Sequence, residues 1–244
     1  MILDRVTITG ADDSVDPRAL SKLSERFPFV EWGLLFSEKR QGTPRYPSLN
    51  WMLKLQEVRA HRSRVNLHPM SLSAHLCGKY VREFVKEGLF TFADRVPLST
   101  FQRIQLNFHA ELHEAHPGFA ATLRLLDNYQ WILQHDGVND GLIRLFSDDK
   151  DLYVYPLFDR SGGTGVVPGA WPAPIAKYQG YAGGLGPDNL EEELRRIKAA
   201  AGSARIWVDM ETRVRSADDE VLDLAKVERC LIIAKPFVEE GEYS

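Results

Sequence analysis

The sequence has few cysteines and no long apolar run. These absences argue against a disulfide framework, a zinc-binding spacing and a membrane helix. Its 244 residues include only two cysteines, Cys77 and Cys230, which lie far apart in the chain. They form neither a disulfide framework nor a zinc-binding spacing, so a reducing, cytoplasmic setting is expected. No segment approaches the roughly 20 apolar residues of a membrane helix. The N-terminal stretch MILDRVTITG carries charge at once and predicts a first strand, not a signal peptide.

A strong charge of either sign is also missing. The net charge is −4, with 44% hydrophobic and 26% charged residues, which is typical of a globular protein with a full core. The basic stretches are short and interrupted, so neither a nucleic-acid nor a membrane partner is predicted. Because no low-complexity linker divides the chain, residues 1–244 are expected to form one domain, as a monomer or homodimer.

Motifs for cofactors and metals are absent as well. The turn after the first predicted strand, TGADDS, contains one glycine, which does not match the dinucleotide-binding pattern. No HxH or HExxH spacing supports a metal site, although several histidines and carboxylates are present. The sequence therefore predicts no cofactor and no metal.

Short apolar strands alternate with amphipathic segments along the whole chain. Strands that alternate with helices pair in parallel, because each helix serves as the crossover. Eight such units in roughly 250 residues predict a (β/α)8 TIM barrel in preference to a doubly wound open sheet. The predicted strands lie at 5–9, 29–36, 72–76, 103–109, 129–135, 152–158, 177–184 and 204–210. The first predicted helix begins near residue 16, and the others span 48–58, 78–88, 117–127, 137–146, 187–201 and 220–239.

One stretch, LYVYPLFDRSGGTG (152–165), combines a buried strand with a carboxylate and a glycine-rich loop. Side chains alternate along a strand, so Tyr155, Leu157 and Asp159 share one face. In a barrel of this type the active site lies at the C-terminal strand ends, which places Asp159 at the barrel mouth. The alternative is that Asp159 caps the following turn through backbone N–H groups.

Two glycine clusters follow successive predicted strands. Glycine lets the backbone approach an anion closely and expose its N–H groups, and a helix N-terminus also favours negative charge. The sequence therefore predicts phosphate binding, with a tight turn as the alternative for each cluster. The residues concerned are Gly162, Gly163, Thr164, Gly165, Gly183 and Gly184.

These segments resemble the phosphoribosylanthranilate isomerase family. FDRSGGTG (158–165) is similar to that family's strand-6 motif, and AGGLGPDNL (182–190) is similar to its strand-7 phosphate loop. VDMETRV (208–214) lies where the family has an aspartate and a phosphate turn, and DLAKVERCLI (223–232) resembles its last helix. The resemblance is specific over residues 156–230.

The resemblance implies an Amadori-type isomerisation of a phosphoribosyl-amine by acid–base proton transfer. It implies that Asp159 is the general acid and that Thr9 occupies the position of the family's basic cysteine. A threonine hydroxyl is too weak an acid to serve as a base near neutral pH without an activating partner. It further implies substrate contacts from Asp209 and from Arg40, and it places Arg213 in the phosphate turn.

Other polar residues on the predicted strands are candidates for the site. Glu31, in FVEWGLLF, is flanked by bulky apolar residues and must be paired or functional. It is a candidate base with a raised pKa, or else a member of a structural ion pair. A polar ring on the predicted third to fifth strands suits recognition of sugar hydroxyls. Its members are His75, Gln105, Asn107, His109, His135 and Asp136.

Two functions from different classes follow. The first is an isomerase or epimerase that moves a proton on a phosphorylated sugar derivative, with Asp159 as the acid. The second is a barrel that kept the pocket but lost the base, and that now binds a small ligand or a partner. The residue that divides the two hypotheses is Thr9.

Overall fold

The computed structural model describes residues 1–88, 91–92, 96–108, 117–147, 152–159 and 165–242. Eight parallel strands pair in sequence order, and the last pairs with the first to close the barrel. The predicted (β/α)8 barrel is therefore confirmed. The strands are β1 (Ile2–Thr9), β2 (Val30–Phe36), β3 (Ser71–Leu76), β4 (Arg103–Leu106), β5 (Gln130–His135), β6 (Val154–Phe158), β7 (Tyr178–Ala182) and β8 (Arg205–Met210).

Helices surround the barrel, and several begin where the sequence predicts. The first follows Asp16, whose carboxylate accepts from the Arg18 N–H, and it has Pro17 in its first turn. The second is capped by Ser48, whose hydroxyl accepts from the Trp51 N–H. The helices are α1 (Pro17–Arg26), α2 (Leu49–Arg64), α3 (Lys79–Arg82, continued by a π-helical turn Glu83–Glu87), α4 (Phe119–Leu125), α5 (Asp140–Ser147), α6 (Leu190–Ala201) and α7 (Leu224–Glu242).

The helix bounds differ from the predicted ones, since α2 continues to Arg64 and not to residue 58, and α7 begins at Leu224 and not at residue 220. Helix α6 begins at Leu190 and not at residue 187, because the Asn189 side chain bonds the backbone of Gly184 and Gly186 and holds the preceding residues in a turn. The described part of the connection between β6 and β7, residues 165–177, contains no helix. That connection is anchored by Trp171, which is buried against Phe158 and donates to Glu193.

The interior of the barrel separates into a packed lower part and an open mouth. In the lower part, the Trp207 ring fills the space that Gly180 leaves, since a Cβ on Gly180 would lie 2.3 Å from it. The Arg103 guanidinium stacks over the Trp207 ring at 4.2 Å and pairs with Glu31 at 2.9 Å. The barrel is therefore closed below, and its free space lies at the C-terminal ends of the strands.

Among the described residues, no helix is both long enough and apolar enough to cross a membrane. Cys77 and Cys230 are both free thiols.

Candidate active site at the barrel mouth

A cavity of about 330 Å³ opens at the C-terminal ends of the strands. Ligand pockets in proteins span roughly 300–1,000 Å³, so the cavity suits a small molecule. Its walls include side chains from β1, β2, β3, β4, β5, β6 and β8, and its rim is formed by the loops that follow β2, β7 and β8. This is the face on which barrel enzymes of this type carry their active sites.

Asp209, near the end of β8, is the most perturbed carboxyl at this cavity. It is buried, and the Thr9 hydroxyl donates to its Oδ1 at 2.7 Å. Burial raises the pKa of Asp209 well above its ordinary value, and the negative charges of Glu211, Glu31 and Asp159 raise it further, while the Thr9 hydrogen bond lowers it. Within the described residues Oδ2 has no hydrogen-bond partner. Asp209 is therefore a buried acid whose second oxygen is available to a ligand.

Thr9 is held in place by the strand beside it. A Cβ on Gly33 would lie 2.6 Å from the Thr9 hydroxyl and 2.9 Å from His75 Nε2. Glycine at this position therefore lets both side chains enter the barrel interior next to each other. Since the Thr9 hydroxyl donates a hydrogen bond to Asp209, Thr9 positions that carboxyl.

Asp159 follows β6 and lines the same cavity as Asp209. It is half-buried, and its charge is one of those that raise the pKa of Asp209. The prediction that Asp159 lies at the barrel mouth agrees with this geometry. The cavity thus brings two carboxyl groups together from β6 and β8.

The wall over β3, β4 and β5 is polar but uncharged. Burial lowers the pKa of His75 to about 4, so the imidazole is neutral near pH 7. Burial likewise raises the pKa of the Cys77 thiol to about 11, so the thiol keeps its proton. The amides of Gln105, Asn107 and Gln134 complete this wall.

The rim over β2 and β8 is tied together by Arg45. Its Nε donates to Asp219 at 2.7 Å, and its guanidinium also pairs with Glu211. Both carboxylates follow β8 along the chain, so Arg45 joins the loop after β2 to the loop after β8. The charge of Glu211 beside the cavity is neutralised by this pair.

Arg40 and Arg213 are two further cations that line the cavity. Arg40 stacks over the Tyr46 ring at 4.5 Å. Arg213 is exposed, packs against Gly186 in the turn before α6, and has no ion-pair partner among the described residues. Arg40 is likewise exposed and has no ion-pair partner among the described residues, so either arginine could pair with an anionic ligand.

The glycines have a structural role that the sequence did not show. A Cβ on Gly184 would lie 2.5 Å from the Gly165 carbonyl oxygen, so the turn after β7 packs directly against the loop after β6. Gly165, Gly183 and Gly184 all have positive φ and all line the cavity. Gly162, Gly163 and Thr164 lie outside the described residues, as does His109.

Two predicted site residues lie elsewhere. Glu31 does not line the cavity; it accepts from Arg103 and Arg5 at 2.9 Å each and from the Thr7 hydroxyl. Although burial opposes it, the charges of Arg103 and Arg5 lower the pKa of Glu31. The predicted raised pKa is therefore wrong, and Glu31 belongs to a structural ion pair.

His135 also departs from the prediction. Its ring packs against Phe158 on the outer side of the sheet, and its Nε2 lies 3.3 Å from Asp140. Because neighbouring residues on a strand face opposite sides, the preceding residue, Gln134, lines the cavity in its place. The prediction that His135 contacts the substrate is therefore wrong by one residue.

Several cavity residues were not singled out from the sequence. Gln134 could have been found by extending the alternation inward from Ile132, and Cys77 by extending it from His75. Tyr46 lies in a loop, and no strand pattern indicates it. Among the described residues, no group of three or more potential metal ligands is present.

No protein-family model matches this chain. No curated protein matches it either. Among solved structures, the chain is similar to a GH113 β-1,4-mannanase in a complex, with a TM-score of 0.47 and 10% sequence identity over 98% of this chain and 99% of the other. At this level of identity no residue role is transferred between the two chains.

These comparisons overturn the expected membership in the phosphoribosylanthranilate isomerase family. No family model and no curated protein matches the chain, so nothing supports the resemblance.

Proposed function

We propose that this barrel is an acid–base enzyme, an isomerase or epimerase, that moves a proton on a small phosphorylated sugar derivative. The observation that carries the proposal is Asp209, a buried carboxyl with a raised pKa that keeps one oxygen toward the cavity. Carboxyl groups with perturbed pKa values in a cleft mark sites of proton transfer. A general acid is most effective when its pKa lies near the working pH, and burial moves Asp209 in that direction.

The two carboxyl groups are proposed to act as acid and base because their environments differ. In the proposed reaction Asp209, whose pKa is raised by burial, acts as the acid and donates through Oδ2 to the carbonyl oxygen of the substrate. Asp159, which is half-buried, removes the proton from the adjacent carbon. The electron pair of the broken C–H bond forms the C=C bond of an enediol, and the carbonyl oxygen keeps the proton from Asp209.

Return of the proton completes the reaction and restores both groups. Delivery to the former carbonyl carbon, with loss of a hydroxyl proton to Asp209, gives an isomer. Delivery of a proton from solvent to the opposite face of the original carbon gives an epimer, while the hydroxyl proton returns to Asp209 and the proton on Asp159 passes to solvent. Only protons move between the carboxyl groups, the substrate and solvent, so no redox partner is required.

Arg213 and the glycine turn before α6 are proposed to hold the anionic end of the substrate. Arg213 is exposed to the cavity without an ion-pair partner among the described residues, whereas Arg45 is neutralised by Glu211 and Asp219. A phosphate pairs well with a guanidinium and with backbone N–H groups ahead of a helix.

The proposal is tested by deuterium exchange in D2O, followed by proton NMR of the carbon next to the carbonyl. The probes are glyceraldehyde 3-phosphate, ribose 5-phosphate and glucose 6-phosphate. Wild-type protein is expected to exchange that proton in at least one probe, and Asp209→Asn or Asp159→Asn is expected to slow exchange by at least about 100-fold.

The variant Arg213→Gln tests separately whether Arg213 binds the anionic end of the substrate. It is expected to raise the Kd for inorganic phosphate about tenfold, whereas Arg64→Gln, an exposed arginine at the end of α2, should leave that Kd unchanged. Absence of deuterium exchange in all three probes would contradict the proposal that the protein is an acid–base enzyme. Binding of a probe without exchange would instead favour a ligand-binding barrel.

A further inference from the structure

Gln105, near the end of β4, presents an unused hydrogen-bond acceptor at the cavity. The residue is 5% exposed and lines the cavity. Its Oε1 is buried and has no partner among the described residues. Buried polar atoms in folded proteins nearly always have a partner, so an orphan at a ligand-sized cavity requires an explanation.

A chain of hydrogen bonds fixes which end of the Gln105 amide faces the cavity. The Cys77 thiol donates to the His75 carbonyl at 3.7 Å, so its sulfur is left to accept. Asn107 therefore turns its Nδ2 toward the sulfur, at 3.2 Å, and its Oδ1 toward Gln105. Gln105 then donates through Nε2 to Asn107 Oδ1 at 2.8 Å, which leaves Oε1 as the free end of the chain.

The groups around Gln105 Oε1 favour an uncharged hydrogen-bond donor on the ligand. The neighbouring groups on this wall are the uncharged imidazole of His75, the protonated thiol of Cys77 and the amide of Gln134. A carboxylate of the ligand would face an acceptor here, and an ammonium would find no counter-charge on the wall. A hydroxyl can donate to Oε1 and is itself uncharged.

We propose that Gln105 is a specificity-determining residue whose Oε1 accepts a hydrogen bond from a substrate hydroxyl. The neutral, hydroxyl-bearing end of the substrate lies against β3, β4 and β5, with its reacting carbon between the two carboxyl groups. This inference rests on the proposed function, because it concerns the substrate of the same cavity. An analogue that lacks the hydroxyl leaves the acceptor buried and unpaired, which weakens binding by about 10- to 100-fold.

Isothermal titration calorimetry with ribose 5-phosphate and its 2-deoxy and 3-deoxy analogues tests the inference. Wild-type protein is expected to bind one deoxy analogue at least about tenfold more weakly than the parent. In Gln105→Met, a change of similar volume, the same two ligands are expected to bind within about twofold of each other.

Gln130→Met is the matched control. The Oε1 of Gln130 is also buried and has no partner in the part of the chain that the structure describes, but Gln130 begins β5 at the opposite end of the barrel and does not line the cavity. This variant should discriminate between the ligands as the wild type does, and thermal unfolding of both variants shows that they are folded.

The outcomes separate the two proposals. Equal binding of all three ligands to wild-type protein, or discrimination that survives in Gln105→Met, would overturn the role of Gln105 and leave the acid–base proposal standing. Binding of none of the three would overturn the phosphorylated-sugar substrate, and the inference would fail with it.

Discussion

The Thr9 hydroxyl lies 2.7 Å from Asp209 Oδ1, and this contact joins the first and last strands of the barrel at the floor of the cavity. It satisfies one oxygen of a buried carboxyl and leaves the other for a ligand. Because Gly33 leaves room for the Thr9 side chain, the pair depends on three neighbouring strands. Substitutions at this contact and at the ion pair of Glu31 with Arg5 and Arg103 test the arrangement.

Thr9→Val should raise the pKa of Asp209 further, because the hydroxyl that lowers it is lost. Turnover should fall by about 10- to 100-fold, since the carboxyl also loses the contact that orients it. Thr9→Ser keeps the hydroxyl and serves as the control, with both values close to wild type. The pKa is followed by carbon NMR of labelled aspartate carboxyls. An unchanged titration in Thr9→Val would show that the contact does not form in solution.

Asp209→Asn should change how stability depends on pH. The folded-state pKa of Asp209 is raised, so below the ordinary aspartate value of 3.8 the carboxyl is protonated in both states. As the pH rises above that value, only the unfolded state loses the proton, which destabilises the wild type by up to about 1.4 kcal/mol per pH unit. The asparagine variant lacks this loss and should gain stability relative to wild type until the pH passes the folded-state pKa.

Urea unfolding of both proteins between pH 4 and pH 8 measures that difference. Asparagine retains the oxygen that accepts from Thr9, so the comparison isolates ionisation from the loss of a hydrogen bond. A difference in unfolding free energy that stays constant over this range would show that Asp209 titrates normally.

Glu31→Gln should destabilise the protein by about 3–5 kcal/mol at pH 7, because Arg5 and Arg103 lose their shared buried counter-charge. The folded-state pKa of Glu31 is lowered, so its contribution is present above the ordinary value of 4.5 and is lost as the pH falls through the lowered value. Glu191→Gln, which breaks the exposed pair with Arg195, should cost less than about 1 kcal/mol. Equal costs for the two variants would contradict the burial of the Glu31 pair.

Gly33→Ala should reduce both stability and turnover. The new methyl group would lie 2.6 Å from the Thr9 hydroxyl, so Thr9 or His75 must move, at a cost of about 1–3 kcal/mol. Gly169→Ala is the matched control, since a Cβ at that position meets nothing within 4 Å. Thermal unfolding and the deuterium-exchange rate of each variant provide the comparison, and a Gly33→Ala protein as active as wild type would contradict the packing around Thr9.

The barrel was predictable from the sequence because its signals are local. Alternating strands and helices, the Asp16-Pro17 helix start and the eight-unit length together favour one topology. Asp159 was found for the same reason, since the strand alternation that leads to it is unbroken. The exact register at a strand end was harder, and a displacement by one residue exchanged His135 for Gln134 at the cavity.

Long-range pairing accounts for what the sequence did not predict. A glutamate in an apolar strand is equally compatible with a base and with an ion pair, and only the fold shows Arg5 and Arg103 beside Glu31. The raised pKa of Asp209 depends on burial, on the nearby charge of Glu211 and on charges from two other segments of the chain. The family resemblance rested on short motifs, and no family model matches the chain.

The most direct test of the account is the protonation state of Asp209, measured by carbon NMR on protein with labelled aspartate carboxyls. The raised pKa of Asp209 predicts one carboxyl signal that titrates well above the ordinary aspartate value and that is missing from Asp209→Asn. If every aspartate carboxyl titrates near the ordinary value of 3.8, Asp209 is ionised at neutral pH and the proposed proton donor does not exist.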